Sequence, residues 1–589
     1  MARKLPRKDV VIIGLGWTGS IIANELTDEG LDVVAIERGP WRDTATDFNV
    51  GYAPDELRYA VRLDLFLRPA QQTLTFRNNV SQTALPIRQF SGFLPGNGVG
   101  GAGVHWNGHT WRFNPTDFRI RSHLTERYGA GFIPKELTIQ DWGVTYEELE
   151  FSYDKFENLA GISGKAGNIK GAVQPGGNPF EGPRERDYPL PPLPMTYAPT
   201  LFAEAAKSLG YHPFPTPAAN ASGAYTNPLG VTMGPCTFCG FCERFGCANY
   251  SKASPQVNVL PVLMRKPNFE ARTECEVMKV NLDASGKQAT GVTYIDTQGQ
   301  EWEQPADLVV VCAFILDNVR LMLISGIGKP YDPNTGEGTV GRNYAYQTNS
   351  SVRLFFDKDK IINPFIAAGA LGQTVDDFNG DNFDHSGLDF VGGAGFNCIP
   401  TNGRPIMNRP VPSGTPRWGL EWKKATKENY LHSTGISTQG SSYTTRGNHL
   451  DLDPTYKDRF GRPLMRMTFD FPENDIRMSS YVTDKLEEII KALNPREYFV
   501  NKRTKPYSVV PYQSTHNTGG MIMGRDPATS ALNKYLQSWD VPNVFVVGAS
   551  AFPQNAGYNP TGTVGALAFW AAEAIRTQYL KSPGPLVQS

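Results

Sequence analysis

Long hydrophobic runs are absent from this 589-residue chain. No segment reaches the roughly 18 uncharged apolar residues that a membrane-spanning helix requires. The basic residues at the N-terminus run directly into a strand-like segment and not into a separate apolar stretch of the kind found in signal peptides. We therefore expect no spanning helix and no cleavable signal of its own, so that any export would depend on the signal of a partner.

An excess of charge of one sign is also missing. The chain carries 57 Lys and Arg against 58 Asp and Glu, for a formal net charge of −1. This balance argues against a nucleic-acid partner and against a polybasic membrane anchor. The length favours two or more domains, and 59 glycines with 45 prolines are typical of a loop-rich enzyme and not of a helical bundle.

A strand, a glycine-rich turn, a helix and a second strand follow one another in residues 9–39. Gly14 permits the tight turn, Gly16 lets the backbone approach a pyrophosphate, and Gly19 lets the helix and the strand pack closely. Glu37 ends the second strand at the spacing that suits the hydroxyls of a ribose. The pattern predicts a dinucleotide-binding unit, and the alternative is an ordinary βαβ turn.

A second glycine-rich stretch, GNGVGGAGVHWNGHTWRF, occupies residues 96–113. Six glycines between positions 96 and 108 are incompatible with a stable helix or a central strand, because glycine costs backbone entropy and offers no side chain to pack. Close contact with a ligand is the usual reason for such a loop, and His105 with Trp106 suggests a flat ring. The alternative is a surface loop with a hydrogen-bonded histidine.

Together, GLGWTG and VGGAGVHWNGHTWR resemble the glucose-methanol-choline (GMC) family of FAD oxidoreductases. The resemblance implies an α/β, Rossmann-like FAD-binding domain and an α+β substrate domain with a mainly antiparallel sheet. It also implies a histidyl-FAD bond at His105, four residues after the second glycine of the pair, with a non-covalent contact as the alternative. The other flavin-binding positions that it implies are Gly100, Gly101, Asn107, Gly548 and Ala549.

The family pattern near the C-terminus is a His in one segment and a His or Asn in the next, both facing the flavin. His516 in STHNTGG and Asn559 in NAGYNPTGT match it. Histidine suits the removal of a hydroxyl proton near neutral pH. Asn559 would hold the alcohol oxygen with the C–H bond aimed at the flavin.

Four of the seven cysteines lie in one short stretch. Cys236, Cys239, Cys242 and Cys247 form a C-x2-C-x2-C-x4-C pattern, close to the runs that wrap an iron–sulfur cluster. Structural zinc usually divides its ligands between two separated knuckles, and an odd cysteine count does not indicate a disulfide framework. We therefore favour an iron–sulfur cluster, with zinc or free or disulfide-bonded cysteines as the alternatives.

The stretch GPCTFCGFCERFGCANYSK, residues 234–252, also resembles the flavoprotein subunits of membrane-bound sugar-acid dehydrogenases, the gluconate 2-dehydrogenase group. Distant relatives of that group hold a 3Fe-4S cluster, which needs three ligands. The resemblance thus favours 3Fe-4S over 4Fe-4S, with Cys239 as the spare cysteine.

The same resemblance implies oxidation of D-gluconate to 2-keto-D-gluconate, with electrons passing from FAD through the cluster to a cytochrome c subunit. It places the enzyme at the periplasmic face of the inner membrane, together with a small subunit for export. The alternatives are dehydrogenases of 2-ketogluconate, sorbitol, glucose or fructose, and an FAD and iron–sulfur electron-transfer protein without alcohol turnover. An oxygen-using oxidase is disfavoured by the cysteines.

The expected FAD-binding domain is discontinuous and comprises residues 1–160, 200–345 and 505–589, with the cysteine insert at 234–252. A Gly/Pro-rich surface arm without regular structure is expected at 164–194, and a substrate domain at 346–504. No motif in the expected substrate domain identifies the residue that would bind a substrate carboxylate. Several basic residues therefore remain candidates: Arg342, Arg353, Arg404, Arg417, Lys423 and Lys424. The acidic stretch 376–390 predicts a solvated loop in preference to a calcium site.

Overall fold

The computed structural model describes residues 2–48, 64–88, 93–399, 410–509 and 514–588. Its largest sheet has eight strands in the described part of the chain, and parallel strands form its centre. The strand Glu301–Val311 lies beside Lys8–Ile13 with Val311 opposite Ile13. Along the main path the strands are Phe269–Arg272, Val33–Ile36, Lys8–Ile13, Glu301–Val311, Ala289–Ile295 and Glu276–Leu282, and Arg3–Lys4 and Val544–Val546 also pair with Glu301–Val311.

The helix Trp17–Asp28 begins directly after the first glycine turn and is buried along most of its length. It packs against the C-terminal helix Thr561–Ala574, which in turn packs against Tyr146–Ala160. Thr145 caps the last of these helices by accepting from the amide of Glu148, and Gly161 ends it in the left-handed conformation. Of the three helices, Trp17–Asp28 contacts the parallel strands Lys8–Ile13 and Val33–Ile36 directly.

The second-largest sheet in the described part of the chain has six antiparallel strands. The helix Glu473–Leu493 packs with the helix Tyr197–Ser208 against this sheet. Aliphatic and aromatic side chains of both helices and of the inner sheet face form a separate hydrophobic core. The strands in order are Glu497–Asn501, Ser351–Phe355, Ser433–Gly440, Ala394–Cys398, Gln373–Val375 and Pro213–Pro215.

A smaller four-stranded sheet joins early and late parts of the chain, with strands His449–Lys457, Pro463–Thr468, Thr75–Arg77 and Leu85–Pro86. Two-stranded pairs are Tyr225–Thr226 with Thr232–Met233, Ala345–Tyr346 with Asn517–Thr518, and Asn168–Ile169 with Ala172–Val173. The other helices are Thr44–Asp47, Ala102–His105, Pro115–Phe118, Ile120–Tyr128, Pro255–Asn258, Leu260–Leu263, Ile315–Ser325 and Leu420–Asn429, followed by the 3₁₀ turn Ala549–Ala551 and the π turn Ile575–Tyr579. The fold class, a parallel α/β unit beside a mainly antiparallel one, is confirmed.

Residues 197–215 pack with the six-stranded sheet, whereas the sequence assigned most of them to the FAD-binding domain. The division of the chain at 345/346 and 504/505 stays a prediction. Within the described ranges, no helix is both long and apolar enough to cross a membrane.

The Gly/Pro-rich arm is more ordered than its sequence suggested. It contains a two-stranded ribbon, and its Arg184 side chain is fully buried. That guanidinium pairs with Glu157 and with Glu181, and Glu157 also accepts from Arg112 Nε at 2.8 Å. The expectation of a stretch without regular structure is therefore wrong, because a buried network of two arginines and two glutamates fixes the arm to the helix Tyr146–Ala160.

Candidate active site

A cavity of about 890 Å³ lies between the parallel sheet and the antiparallel sheet. Both glycine-rich stretches and the C-terminal segments contribute to its walls. A cleft at the carboxyl ends of parallel strands is the usual position of a dinucleotide site in such sheets. The volume falls within the range of cofactor pockets.

The first glycine turn has the geometry that its sequence predicted. Gly14 adopts φ +93°, which favours glycine. A Cβ on Gly19 would lie 2.0 Å from the carbonyl oxygen of Gly14, whereas one on Gly16 would meet nothing nearer than 3.8 Å. The turn is thus closed on the helix side and open toward the cavity. Glu37 braces it by accepting from the amides of Leu15 at 3.0 Å and Gly39 at 2.8 Å.

The second glycine stretch lies directly on the first. The amide of Gly100 donates to the carbonyl of Leu15 at 2.7 Å, and Gly101 has φ +52°. His105 ends the short helix Ala102–His105, is buried, and has its ring 4.6 Å from that of Phe66 in an edge-on contact. The predicted positions that line the cavity are Gly14, Gly16, Glu37, Gly101, His105, Asn107, Gly548 and Ala549.

His516 and Asn559 meet at the floor of this cavity. Asn559 Nδ2 lies 3.2 Å from His516 Nε2, and both residues are buried or nearly so and line the cavity. The structure therefore brings together two residues that are 43 positions apart in the chain.

A third residue, His109, completes this group and was missed by the sequence reasoning. Its Nδ1 lies 3.0 Å from Asn559 Oδ1, which also accepts from Trp111 Nε1 at 3.0 Å. Both residues belong to the second glycine-rich stretch, in the motif NGHTW. The signal was a second histidine only four residues after His105, within a loop already assigned to the flavin.

The hydrogen bonds define the protonation of His516. Its Nδ1 contacts Gln347 Oε1, an acceptor, so Nδ1 carries the proton. Nε2 then offers a lone pair, to which the amide of Asn559 donates. Gln439 lies alongside, with Nε2 3.4 Å from His516 Nδ1. The imidazole is held with its basic nitrogen at Asn559.

Burial keeps both histidines neutral. Burial lowers the pKa of His109 to about 4, against hydrogen bonding by Asn559 that acts in the opposite direction. Burial, followed by the charge of His109, lowers the pKa of His516 to about 3. The two imidazoles that share Asn559 resist protonation, because burial penalises a charge on either ring more than the surrounding groups stabilise it.

The acidic stretch 376–390 is buried in part, so the expectation of a solvated loop is wrong for Asp376 and Asp381, whereas Asp384 and Asp389 are exposed. Asp376 is fully buried and accepts from Tyr558 Oη at 2.7 Å. The Tyr558 ring stacks on Trp111 with ring centres 5.0 Å apart. Burial raises the pKa of Asp376 to about 7. The long-range contact with Tyr558, not solvent, satisfies this carboxyl group.

The cysteine loop adjoins the flavin loop. Cys236, Cys239, Cys242 and Cys247 are all free, and Cys242 is buried. A Cβ on Gly369 would lie 1.7 Å from the carbonyl oxygen of Asn107 and 2.8 Å from Cys242 Cβ, so this glycine lies between the two loops. The donor set has the chemistry of an iron–sulfur site, four thiols in one loop. However, the described residues include no group of three or more His, Cys, Asp or Glu side chains arranged to hold a metal ion.

Five of the six basic residues predicted as candidates for a substrate carboxylate do not line the cavity. Arg342, Arg353, Arg417, Lys423 and Lys424 are absent from its described lining. Lys424 instead pairs with Glu421 at 3.1 Å. Arg404 lies outside the described residues.

The cavity fits FAD by its size, by the open face at Gly16 and by the amides of the adjoining helix N-terminus. Residues 201–349 and 444–568 match the family described as GMC oxidoreductase. The chain is 52% identical over its whole length to the gluconate 2-dehydrogenase flavoprotein of Pantoea cypripedii, of which it covers 97%. Over 98% of its length it is 25% identical to the fructose dehydrogenase large subunit of Gluconobacter japonicus, of which it covers 99%.

Among solved structures, pyridoxine 4-oxidase from Mesorbium loti matches with a TM-score of 0.58 and 16% identity, covering 97% of this chain and 99% of that one. This likeness concerns the fold. The resemblance found in the sequence is confirmed, and with it FAD as the cofactor of the family. The chain belongs to the GMC oxidoreductase family.

Proposed function

We propose that this chain oxidises the C2 hydroxyl of D-gluconate to the ketone of 2-keto-D-gluconate. The observation that carries the proposal is the group of His516, Asn559 and His109 at the floor of a dinucleotide-sized cavity. The 52% identity with a gluconate 2-dehydrogenase flavoprotein supports the choice of substrate.

The chemistry requires the loss of a proton from O2 and of a hydride from C2. Once bound, FAD supplies the two-electron acceptor for the hydride. His516 Nε2 is unprotonated and faces the cavity, and it accepts the hydroxyl proton as the hydride leaves C2, because only then does the hydroxyl become more acidic than an imidazolium whose pKa burial lowers. Asn559 holds the substrate oxygen beside that nitrogen, and His109 with Trp111 fixes the orientation of the asparagine amide. A C=O bond replaces the O–H and C–H bonds that are broken.

Two glycine-rich loops would hold the FAD. The pyrophosphate suits the amides that follow Gly16, and Glu37 suits the ribose. His105 is buried against the cavity beside Phe66, which supports a flavin contact that is either covalent or non-covalent. Denaturation in acid followed by gel filtration distinguishes the two, because only a histidyl-FAD remains yellow protein.

We also propose that the loop 236–247 holds an iron–sulfur cluster, 3Fe-4S in preference to 4Fe-4S. The four free thiols and their spacing support this. Iron and acid-labile sulfide, measured per flavin, should be lost in Cys242→Ser and retained in Cys398→Ala, which removes a buried thiol from another part of the chain. Zinc without sulfide, or no metal in anaerobically purified protein, would contradict the assignment.

A one-electron cluster suits a one-electron acceptor, so we propose a cytochrome c subunit as partner, a small subunit for export, and a position at the periplasmic face of the membrane. The "large subunit" in the name of the fructose dehydrogenase relative supports a multi-subunit assembly. Co-expression with adjacent genes, followed by affinity purification and haem staining, tests this composition.

Anaerobic flavin bleaching tests the reaction itself. D-Gluconate should bleach the flavin of the purified holoenzyme, and His516→Asn should retain FAD without bleaching. His212→Asn is the matched control, because His212 is exposed and pairs with Asp377 outside the cavity. If only sorbitol, glucose, fructose or 2-ketogluconate bleaches the flavin, that compound and not gluconate is the substrate. No bleaching by any of them would support an electron-transfer protein without alcohol turnover.

A further inference from the structure

Six basic side chains of the described residues line the cavity, and five of them are neutralised. Their carboxylate partners lie within ion-pair distance: Arg38 with Asp317, Arg244 with Glu243, Arg320 with Asp458, Arg462 with Asp458 and Glu276, and Lys502 with Asp484. The sixth, Arg503, has no carboxylate within ion-pair distance in the described part of the chain. It therefore contributes an uncompensated positive charge to the cavity wall.

Arg503 is held in place by neutral groups. Its Nε donates to the carbonyl of Asn349 at 3.2 Å, and its Nη2 donates to the side-chain oxygen of the same residue. Its guanidinium carbon lies 5.2 Å from the centre of the Phe471 ring. Asn349 thus orients one edge of the guanidinium without neutralising it. An oriented, partly buried guanidinium is the group that proteins use to bind carboxylates with two parallel hydrogen bonds.

The position of Arg503 relative to His516 suits a 2-hydroxy acid. Gln347, which contacts His516, and Asn349, which contacts Arg503, are two residues apart in the same segment. Two residues of chain span at most about 7 Å. In a sugar acid the carboxylate carbon is bonded to C2. One end of such a substrate can therefore reach the guanidinium while its C2 hydroxyl reaches the imidazole.

Apart from Arg503 and the paired Lys502, this wall carries hydroxyl and amide side chains. Ser351 lies opposite Ser437 and Asn501 on neighbouring strands, and all three line the cavity. Hydroxyl and amide groups of this kind suit the polyol tail of a sugar. These uncharged groups do not distinguish a sugar acid from a neutral sugar. Arg503 is therefore the residue that can distinguish them by charge.

We propose that Arg503 binds the C1 carboxylate of the substrate and selects sugar acids over neutral sugars. This inference rests on the proposed function, oxidation of a sugar acid at C2. It names a specificity-determining residue that the sequence did not indicate, since Arg503 lies two residues beyond the edge strand Glu497–Asn501 and belongs to no motif.

The test measures binding without turnover. The probe is 2-deoxy-D-gluconate, which lacks the hydroxyl to be oxidised, and its neutral counterpart is 2-deoxy-D-gluconamide. Binding to the holoenzyme is followed by perturbation of the flavin absorption spectrum. Arg503→Met should weaken binding of the acid about 10- to 100-fold, the range expected for lost charge-assisted hydrogen bonds, and leave binding of the amide unchanged. The affinity of Arg503→Lys for the acid should lie between those of wild type and Arg503→Met, because lysine keeps the positive charge but lacks the planar guanidinium that donates two parallel hydrogen bonds.

Lys502→Met is the matched control, because it removes a neighbouring positive charge that is already paired with Asp484. Three results would overturn the inference. They are an equal loss of affinity for acid and amide in Arg503→Met, an equal loss of affinity for the acid in Lys502→Met, and no loss of affinity in Arg503→Met.

If wild type oxidises gluconate while Arg503→Met binds the acid normally, the inference fails and the proposed function stands. If wild type binds the acid through Arg503 but oxidises only another sugar acid, the inference stands and gluconate is the wrong substrate. A wild type that binds only the amide and oxidises only neutral sugars refutes both.

Discussion

Replacing His109 by glutamine removes one of the two buried imidazoles that flank Asn559. Glutamine can still offer an amide donor to Asn559 Oδ1, in place of the His109 Nδ1 contact of 3.0 Å. It cannot take up a proton in the unfolded chain at mildly acidic pH. We therefore expect His109→Gln to unfold less readily than wild type as the pH falls, even if the substitution costs stability at pH 8.

The size of the effect follows from the lowered pKa. Unfolded histidine titrates near 6.5, whereas folded His109 titrates at about 4 and His516 at about 3. Stability from these groups is therefore fully present above about pH 6.5 and is lost as the pH falls toward 4 and 3, because the unfolded state binds the protons first. At about pH 5, some 1.5 units below the unfolded value, each histidine costs about 2 kcal/mol.

Denaturant unfolding of the holoenzyme at pH 8 and pH 5, followed by far-UV circular dichroism, measures this. The wild type should lose about 2 kcal/mol more than His109→Gln between the two pH values. The difference in unfolding free energy between the two proteins is taken at each pH, so the contributions of the other titrating groups, which both proteins share, cancel. Trp111→Phe is the control, because it removes the other donor to Asn559 without removing a titratable group, so its cost should be equal at both pH values. An identical pH dependence in wild type and His109→Gln would refute the neutral assignment of His109.

Three further predictions follow from the geometry. His516→Ala should lower the rate of flavin reduction by at least about 10²-fold while FAD stays bound, as stopped-flow absorbance would show; an unchanged rate would remove His516 from proton transfer. Gly19→Ala should prevent folding or FAD retention, because its Cβ would lie 2.0 Å from a carbonyl oxygen, whereas Gly16→Ala should fold and lose only FAD affinity; flavin content and circular dichroism separate the two outcomes. Arg184→Met should lower the free energy of unfolding by about 3–5 kcal/mol, because it leaves Glu157 buried with one arginine in place of two; a change near zero in chemical denaturation would contradict the buried network.

The parts of the site that the sequence predicted are those set by local backbone geometry. Gly14 and Gly19 are required by a turn and by a helix contact within one short segment, and Gly16 in the same segment leaves the cavity side open. His516 and Asn559 come from distant segments, and only their match to a family pattern identified them. The structure adds that they share a hydrogen bond.

The parts that the sequence did not reveal depend on long-range contacts. Asp376 belongs to an acidic stretch that would be solvated on its own, and it is buried against Asn178 and Tyr558, which reach it from segments 198 and 182 positions away. Arg503 has ordinary neighbours in the sequence, and its significance comes from the absence of a carboxylate partner among the described residues around it. His109 was visible in the motif, but its distance from Asn559 was not.

The contacts around Lys252 explain how the cysteine loop and the flavin loop keep a fixed spacing. The Lys252 side chain is buried, and its ammonium donates to three carbonyl oxygens: Trp106 at 2.6 Å, Cys242 at 2.8 Å and Phe245 at 2.8 Å. A buried ammonium has three donors to satisfy, and here all three are used. Because Trp106 follows His105 directly while Cys242 and Phe245 belong to the cysteine loop, one side chain joins the two loops. Movement of either loop would leave a buried charge with an unmade hydrogen bond, so the cysteines and His105 are held as one unit.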